Sequence, residues 1–135
     1  MKIHHVGYLT KNLSDSEQAF MKLGYKTESP ANYDPLRKIM ISFLVNESYR
    51  IELIEPCGSE SPMYSLLKKY KNTPYHICYE TEALEPTISM LENQGYVLIQ
   101  KPSEAPCIKN QRVAFLIGES MGIIELLERK DSVLQ

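Results

Sequence analysis

The sequence predicts an α+β fold built from two tandem βαβββ modules, and three observations carry that prediction. An apolar strand with a carboxylate in its middle is written twice, as RIELIEP from Arg50 to Pro56 and as GIIELLER from Gly122 to Arg129. Setting His5 on His76 also sets Tyr8 on Tyr79, Thr10 on Thr81, Leu13 on Leu84, Gly24 on Gly95 and Tyr25 on Tyr96, all at a shift of 71 residues. The shift then drifts, to 72 between Phe43 and Phe115 and to 73 between Glu52 and Glu125. Small drifts of this kind belong in loops, so the chain reads as two copies of one supersecondary unit.

Each element of the unit follows from local chemistry. KIHHVGYLT reads as the first strand. NLSDSEQAFMKLGY reads as a helix, with Ser14 and Glu17 spaced as a capping box and Ala19, Phe20 and Leu23 as its buried face. Gly24 suits the left-handed residue that closes the helix. YKTES is a short strand. KIMISFLVN and SYRIELIEP are two apolar strands joined by a tight turn around Asn46 and Glu47. The second copy repeats the order: PYHICYET, a helix over EPTISMLENQG with Pro86 near its start and Gly95 after its end, then YVLIQ, RVAFLIG and GIIELLER. Between the copies, SPMYSLLKKY reads as a helix capped by Ser61. The chain is thus one domain of 135 residues: module one 1–57, linker helix 58–73, module two 74–129 and a tail 130–135. Two such units can share a core and leave a concave sheet surface.

Composition narrows the function. Fifteen basic and seventeen acidic residues give a net charge of −2, which offers no footprint for nucleic acid or an anionic membrane. No segment has the length and apolarity of a membrane span or of a signal peptide. Cys57, Cys78 and Cys107 are odd in number and widely spaced, which suggests no disulfide framework and fits a cytoplasmic location.

The chemistry is expected on one sheet face. Strand side chains alternate, so His5 and Gly7 share a face opposite Val6 and Tyr8, and His76 and Cys78 share one opposite Ile77 and Tyr79. If Ile51, Leu53, Ile124 and Leu126 pack under the helices, Glu52 and Glu125 point with the histidines. Each module then contributes one His and one Glu. A single such residue is ordinarily structural, and Glu55 and Glu128, near strand ends, are expected to face water. The repetition of the pair is what points to a metal: a buried Glu needs a partner, and a divalent cation held by two imidazoles and two carboxylates would be one. Oxygen and nitrogen donors admit nickel, cobalt, manganese, iron or zinc.

IHHVGYLTKNLSDSEQAFMKLGY, IELIEPCGSESP, PYHICYE and RVAFLIGESMGIIELLE resemble the vicinal oxygen chelate superfamily, the glyoxalase and bleomycin resistance group. The resemblance spans residues 2 to 129 and is greatest to methylmalonyl-CoA epimerases and to glyoxalase I (lactoylglutathione lyase). It implies a half-open mixed β-sheet barrel with helices outside and metal ligands at His5, Glu52, His76 and Glu125. It also implies action on an acyl-CoA or a thiol adduct, and a homodimer is expected because such units leave sheet edges open to pairing. The implied reaction moves a proton next to a carbonyl through a metal-stabilised enolate, with Glu125 as first choice of base and Glu52 as second. Glyoxalase I chemistry on a glutathione hemithioacetal and a non-catalytic binding or resistance protein are the alternatives. One departure stands out: the catalytic Glu of the epimerases aligns near Leu36, where no Glu stands and Asp34 is the nearest acid. Arg37, Lys38, Lys101, Lys109 and Arg112 are the candidate substrate anchors.

Overall fold

The computed structural model describes residues 1–130; the last five residues of the expected tail lie outside them. Among the described residues the elements run β1 (Ile3–Leu9), α1 (Leu13–Met21), β2 (Lys26–Asp34), β3 (Ile39–Asn46), β4 (Tyr49–Pro56), α2 (Tyr64–Tyr70), β5 (Thr73–Thr81), α3 (Leu84–Asn93), β6 (Val97–Ala105), β7 (Gln111–Gly118) and β8 (Gly122–Glu128). This is the α+β class and the repeated βαβββ order that the sequence predicts. No helix among the described residues is long and apolar enough to cross a membrane.

The chain forms two compact units. One spans His5–Tyr75, with strand order β2-β3-β4-β1. The other begins at His76, includes Met1–His4, and has strand order β5-β8-β7-β6. The first residues join the second unit because the Glu80 N–H donates to the Lys2 carbonyl at 2.8 Å. Each sheet is mixed. The first and last strands of a module pair in parallel, β1 with β4 and β5 with β8, and the remaining pairs are antiparallel. The outer strands are longer than YKTES and YVLIQ suggested. β2 and β6 each run nine residues through two register shifts, and each tolerates a proline, Pro30 and Pro102, because a strand with one unpaired side has amides to spare.

One face of each sheet is covered by its helix. Leu13 packs with Leu44 and Leu53, flanked by Tyr8, Phe20 and Ile51. Leu84, Ile88 and Leu91 pack with Ala114, Leu116, Ile124 and Leu126. The buried stripe of α1 differs from the expected one. Leu13, Ser16 and Phe20 face the sheet, whereas Ala19 is exposed and Leu23 is 71% exposed. The helix phase is set at its start by three contacts. The cap is Asn12 rather than Ser14, its side chain accepting from the Asp15 N–H at 3.0 Å. The Leu13 N–H donates to Glu55 at 2.7 Å. The Thr10 and Ser16 hydroxyls meet at 2.5 Å. Module two repeats the last two contacts with Leu84 and Glu128 (3.3 Å) and with Thr81 and Thr87 (2.7 Å). Ser61 does not cap α2 as its N-cap residue, which is Met63; it accepts from the Met63 N–H and donates to the Arg37 carbonyl.

Glu55 and Glu128 therefore hold helix N-termini, where carboxylates complete unpaired N–H groups and meet the positive end of the helix dipole. This corrects the expectation that they face water. Glu128 is buried and also carries Arg112, whose guanidinium donates to Glu128 at 2.9 Å and to Glu85 at 2.7 and 2.9 Å. Hydrogen bonds from Arg112 hold the carboxyls of Glu128 and Glu85 below the ordinary Glu range, and Leu84 N–H adds to the effect at Glu128.

Lowered carboxyl values stabilise the folded state above the ordinary value of 4.5 and lose that contribution as pH falls through the folded value. Arg112→Gln is accordingly expected to lower Tm at pH 7, with the gap to wild type closing in acid, as followed by circular dichroism melts across pH. A second expectation concerns Ser42, fully buried under α1 with no hydrogen-bond partner for its hydroxyl among the described residues. Ala114 holds the matching place in module two. Ser42→Ala should stabilise the chain by roughly 1 kcal/mol, read as a higher urea midpoint with an unchanged slope.

Candidate functional site

The parallel pairing within each module positions the functional side chains. Gly7 lies opposite Glu52 in the register of β1 and β4, and Cys78 lies opposite Glu125 in that of β5 and β8. His5 and His76 stand two residues earlier on the same faces, one pleat away. On the other flank of each glutamate an antiparallel neighbour supplies a phenylalanine, Phe43 opposite Glu52 and Phe115 opposite Glu125.

In module one, His5 Nε2 lies 3.3 Å from Glu52 Oε1. In module two, His76 Nε2 lies 3.0 Å from Glu125 Oε1. The phenylalanine meets the imidazole edge-on in both, with centroids 5.5 Å apart for His5 and Phe43 and 5.2 Å for His76 and Phe115. His5, Glu52, His76 and Glu125 are 1%, 4%, 3% and 3% exposed, so all four polar groups sit in the interior. The faces are those expected: Ile51, Leu53, Ile124 and Leu126 turn to the helices, and the His–Glu pairs turn away. Cys78 is buried beside Glu125, packed with Ala105, Val113 and Leu127 as a small apolar residue. His4 is half-buried.

The donor set fits a divalent cation. Each pair offers one imidazole nitrogen and one carboxylate oxygen, both buried, and nitrogen and oxygen donors of this kind suit a divalent cation.

The candidate anchors are largely engaged elsewhere. Arg112 is held in the clamp on α3. Arg37 donates to the buried Asp34 at 2.8 Å, and Asp34 also accepts the N–H groups of Leu36 and Arg37. This turn holds Leu36 outward, 62% exposed, with the Asp34 carboxylate folded inward. Asp34 is thus a turn-stabilising residue and no substitute for a Glu at position 36. Lys38 pairs with Glu60 at 2.9 Å on the surface. Lys101 and Lys109 are exposed.

Comparison with known proteins agrees with this architecture. A mitochondrial methylmalonyl-CoA epimerase of Dictyostelium discoideum is 29% identical over 132 residues, covering 96% of this chain and 78% of that protein. A hypothetical protein of Bacillus halodurans C-125 superposes with a TM-score of 0.86 at 25% identity, covering 96% and 95% of the two chains. Methylmalonyl-CoA epimerase from Mycobacterium tuberculosis superposes with a TM-score of 0.82 at 20% identity, covering 98% and 90%, a likeness of fold. Residues 4–115 match the model of one family, and the chain belongs to it: the glyoxalase/bleomycin resistance protein/dioxygenase superfamily.

Proposed function

We propose that the chain is a metal-dependent isomerase that moves a proton on the carbon next to a carbonyl, with an acyl-CoA of the methylmalonyl-CoA type as substrate. The observation that carries this reading is the pair of buried His–Glu couples at equivalent places in the duplication. His5, Glu52, His76 and Glu125 would together hold one divalent cation. When bound, such an ion supplies Lewis acidity, polarising a carbonyl and acidifying the adjacent C–H. The relationship to methylmalonyl-CoA epimerase supports both the reaction class and the substrate class.

The protein's own task is proton transfer in a dry pocket. One carboxylate takes the proton from the α-carbon, and a proton returns to the same carbon from either face. Glu125 is the first candidate for the base and Glu52 the second, since each stands on a sheet face beside an imidazole and neither is engaged in a helix clamp as Glu55 and Glu128 are. Two carboxylates from two modules could serve the two faces of the α-carbon, which would replace the Glu that Leu36 displaces. The same observation favours a second reading. With Glu at 52 and none at 36, the acid set also suits glyoxalase I chemistry on a glutathione hemithioacetal. Assays with methylmalonyl-CoA and with methylglyoxal plus glutathione separate the two. A homodimer in the cytoplasm is the proposed assembly, read in sedimentation as twice the 15.5 kDa chain.

Elemental analysis of the purified protein should give one divalent metal per chain. Chelation should lower Tm, because a ligand that binds only the folded state stabilises it, by about 2.7 kcal/mol at a hundred times Kd. His76→Ala should lose most of that response. Glu125→Gln should retain part of the metal while turnover drops roughly 10²–10⁴-fold, the usual contribution of a positioned general base. In heavy water the wild type should exchange the α-proton of its substrate for deuterium and Glu125→Gln should not; exchange that survives would move the base to Glu52. If position 36 is what separates this chain from the epimerases, Leu36→Glu should raise turnover of methylmalonyl-CoA, and an unchanged rate would discard that explanation.

A further inference from the structure

Beside Glu125 the same sheet face carries a row of apolar side chains that the core does not need. Cross-strand partners share a face, and β6, β7 and β8 set Val97 opposite Ile117 and Ile117 opposite Ile123. One pleat further along lies the row of Gln100, Phe115 and Glu125. The neighbouring residues Leu98, Leu116 and Ile124 belong to the helix-covered face, so Val97, Ile117 and Ile123 lie on the Glu125 face. Val97 is 59% exposed and Ile117 41% exposed, while Ile123 is half-buried. The fold does not demand this. In module one the matching row is Lys26, Val45 and Arg50, with Arg50 paired to Glu28 at 2.7 Å. Where one module places charge, the other places aliphatic surface.

We infer that Val97, Ile117 and Ile123 form the floor for an uncharged alkyl substituent on the α-carbon of the substrate, so that the substrate class is an α-alkyl acyl thioester with a chain longer than methyl. This rests on the isomerase reading and deepens it. Two residues of strand separate the row from Glu125, roughly 7 Å, which a carbon held ~3 Å from the carboxylate and carrying a three-carbon chain of ~4 Å would span. Val97, Gln100, Phe115, Ile117 and Ile123 include no cation, so a substituent ending in a carboxylate would lose hydration on this face with nothing to offset it.

The test uses the metal-loaded protein and three thioesters that differ only at the α-carbon: methylmalonyl-CoA, propylmalonyl-CoA and the analogue in which a carboxyethyl group replaces the propyl. Binding is read by calorimetry and α-proton exchange in heavy water by NMR. Propylmalonyl-CoA should bind about tenfold more tightly than methylmalonyl-CoA, the yield of two additional buried methylenes. The carboxyethyl analogue should bind more weakly than the propyl one by at least as much. Ile117→Lys, at an exposed strand position that tolerates Lys, should invert the order of these two. Equal affinities in the wild type, or an order unchanged by Ile117→Lys, overturn the inference. An unchanged order together with dissociation of a dimer would assign the row to a second copy of the chain, which also overturns it. Tight binding of the propyl thioester without exchange would keep the apolar floor and discard the isomerase reading. Failure of all three to bind discards both.

Discussion

A carboxylate inside a β-sheet is among the costliest groups a small protein can bury, and each module buries one beside an imidazole. Removing a carboxylate from water costs several kcal/mol unless charge and hydrogen bonds replace the lost hydration. Glu52 and Glu125 are buried, and an imidazole, His5 or His76, lies 3.3 or 3.0 Å from the carboxylate. Almost every other feature of a module serves that placement. The parallel register fixes the His one pleat from the Glu, the phenylalanine on the antiparallel neighbour closes the outer flank, and the helix covers the opposite face. An imidazole nitrogen beside a carboxylate oxygen is a donor set that suits a divalent cation, which is why the proposed chemistry begins from the pairs.

The modules also show how a repeat separates acids that hold helix ends from acids buried beside an imidazole. Glu55 and Glu128 stand three residues beyond Glu52 and Glu125 on the same strands. Their odd-numbered offset turns them to the helix side, where they accept from the first turns of α1 and α3. Arg112 is drawn to Glu128 and Glu85, so the strongest cation near the apolar strands of module two is a structural clamp. Val97, Gln100, Phe115, Ile117 and Ile123 beside Glu125 include no cation, and that composition shapes the specificity inferred for the face.

Relationship to the methylmalonyl-CoA epimerases carries reaction class further than it carries detail. The fold is shared with a methylmalonyl-CoA epimerase at 20% identity, and a second relative of that name is 29% identical in sequence. The turn over Asp34, Leu36 and Arg37 is where the sequence resemblance predicts a departure from the epimerases. Asp34 is committed to three donors within its own turn, so its carboxylate is no free acid at the mouth of the sheet. A superfamily fold hosts many reactions, and the acids that face the substrate decide among them.

Much of this was legible in the sequence by itself. The duplication, the element order, the closing glycines Gly24 and Gly95 (φ 99° and 100°) and the shared face of His and Glu all follow from spacing and period, because alternation along a strand is a local geometric fact. Helix phase was not legible: Ala19 and Leu23 fit an apolar stripe as well as Leu13, Ser16 and Phe20 do, and contacts with Glu55, 42 residues away, select between them. Nor could the sequence tell that Arg112, Glu128 and Glu85 form one clamp, or that Asp34 folds onto Arg37, since an ion pair depends on which strands become neighbours. The row of Val97, Ile117 and Ile123 is likewise scattered over three strands in the chain, and only their register assembles it. Local pattern determined which residues could face the chemistry, and tertiary pairing decided which of them were left available to perform it.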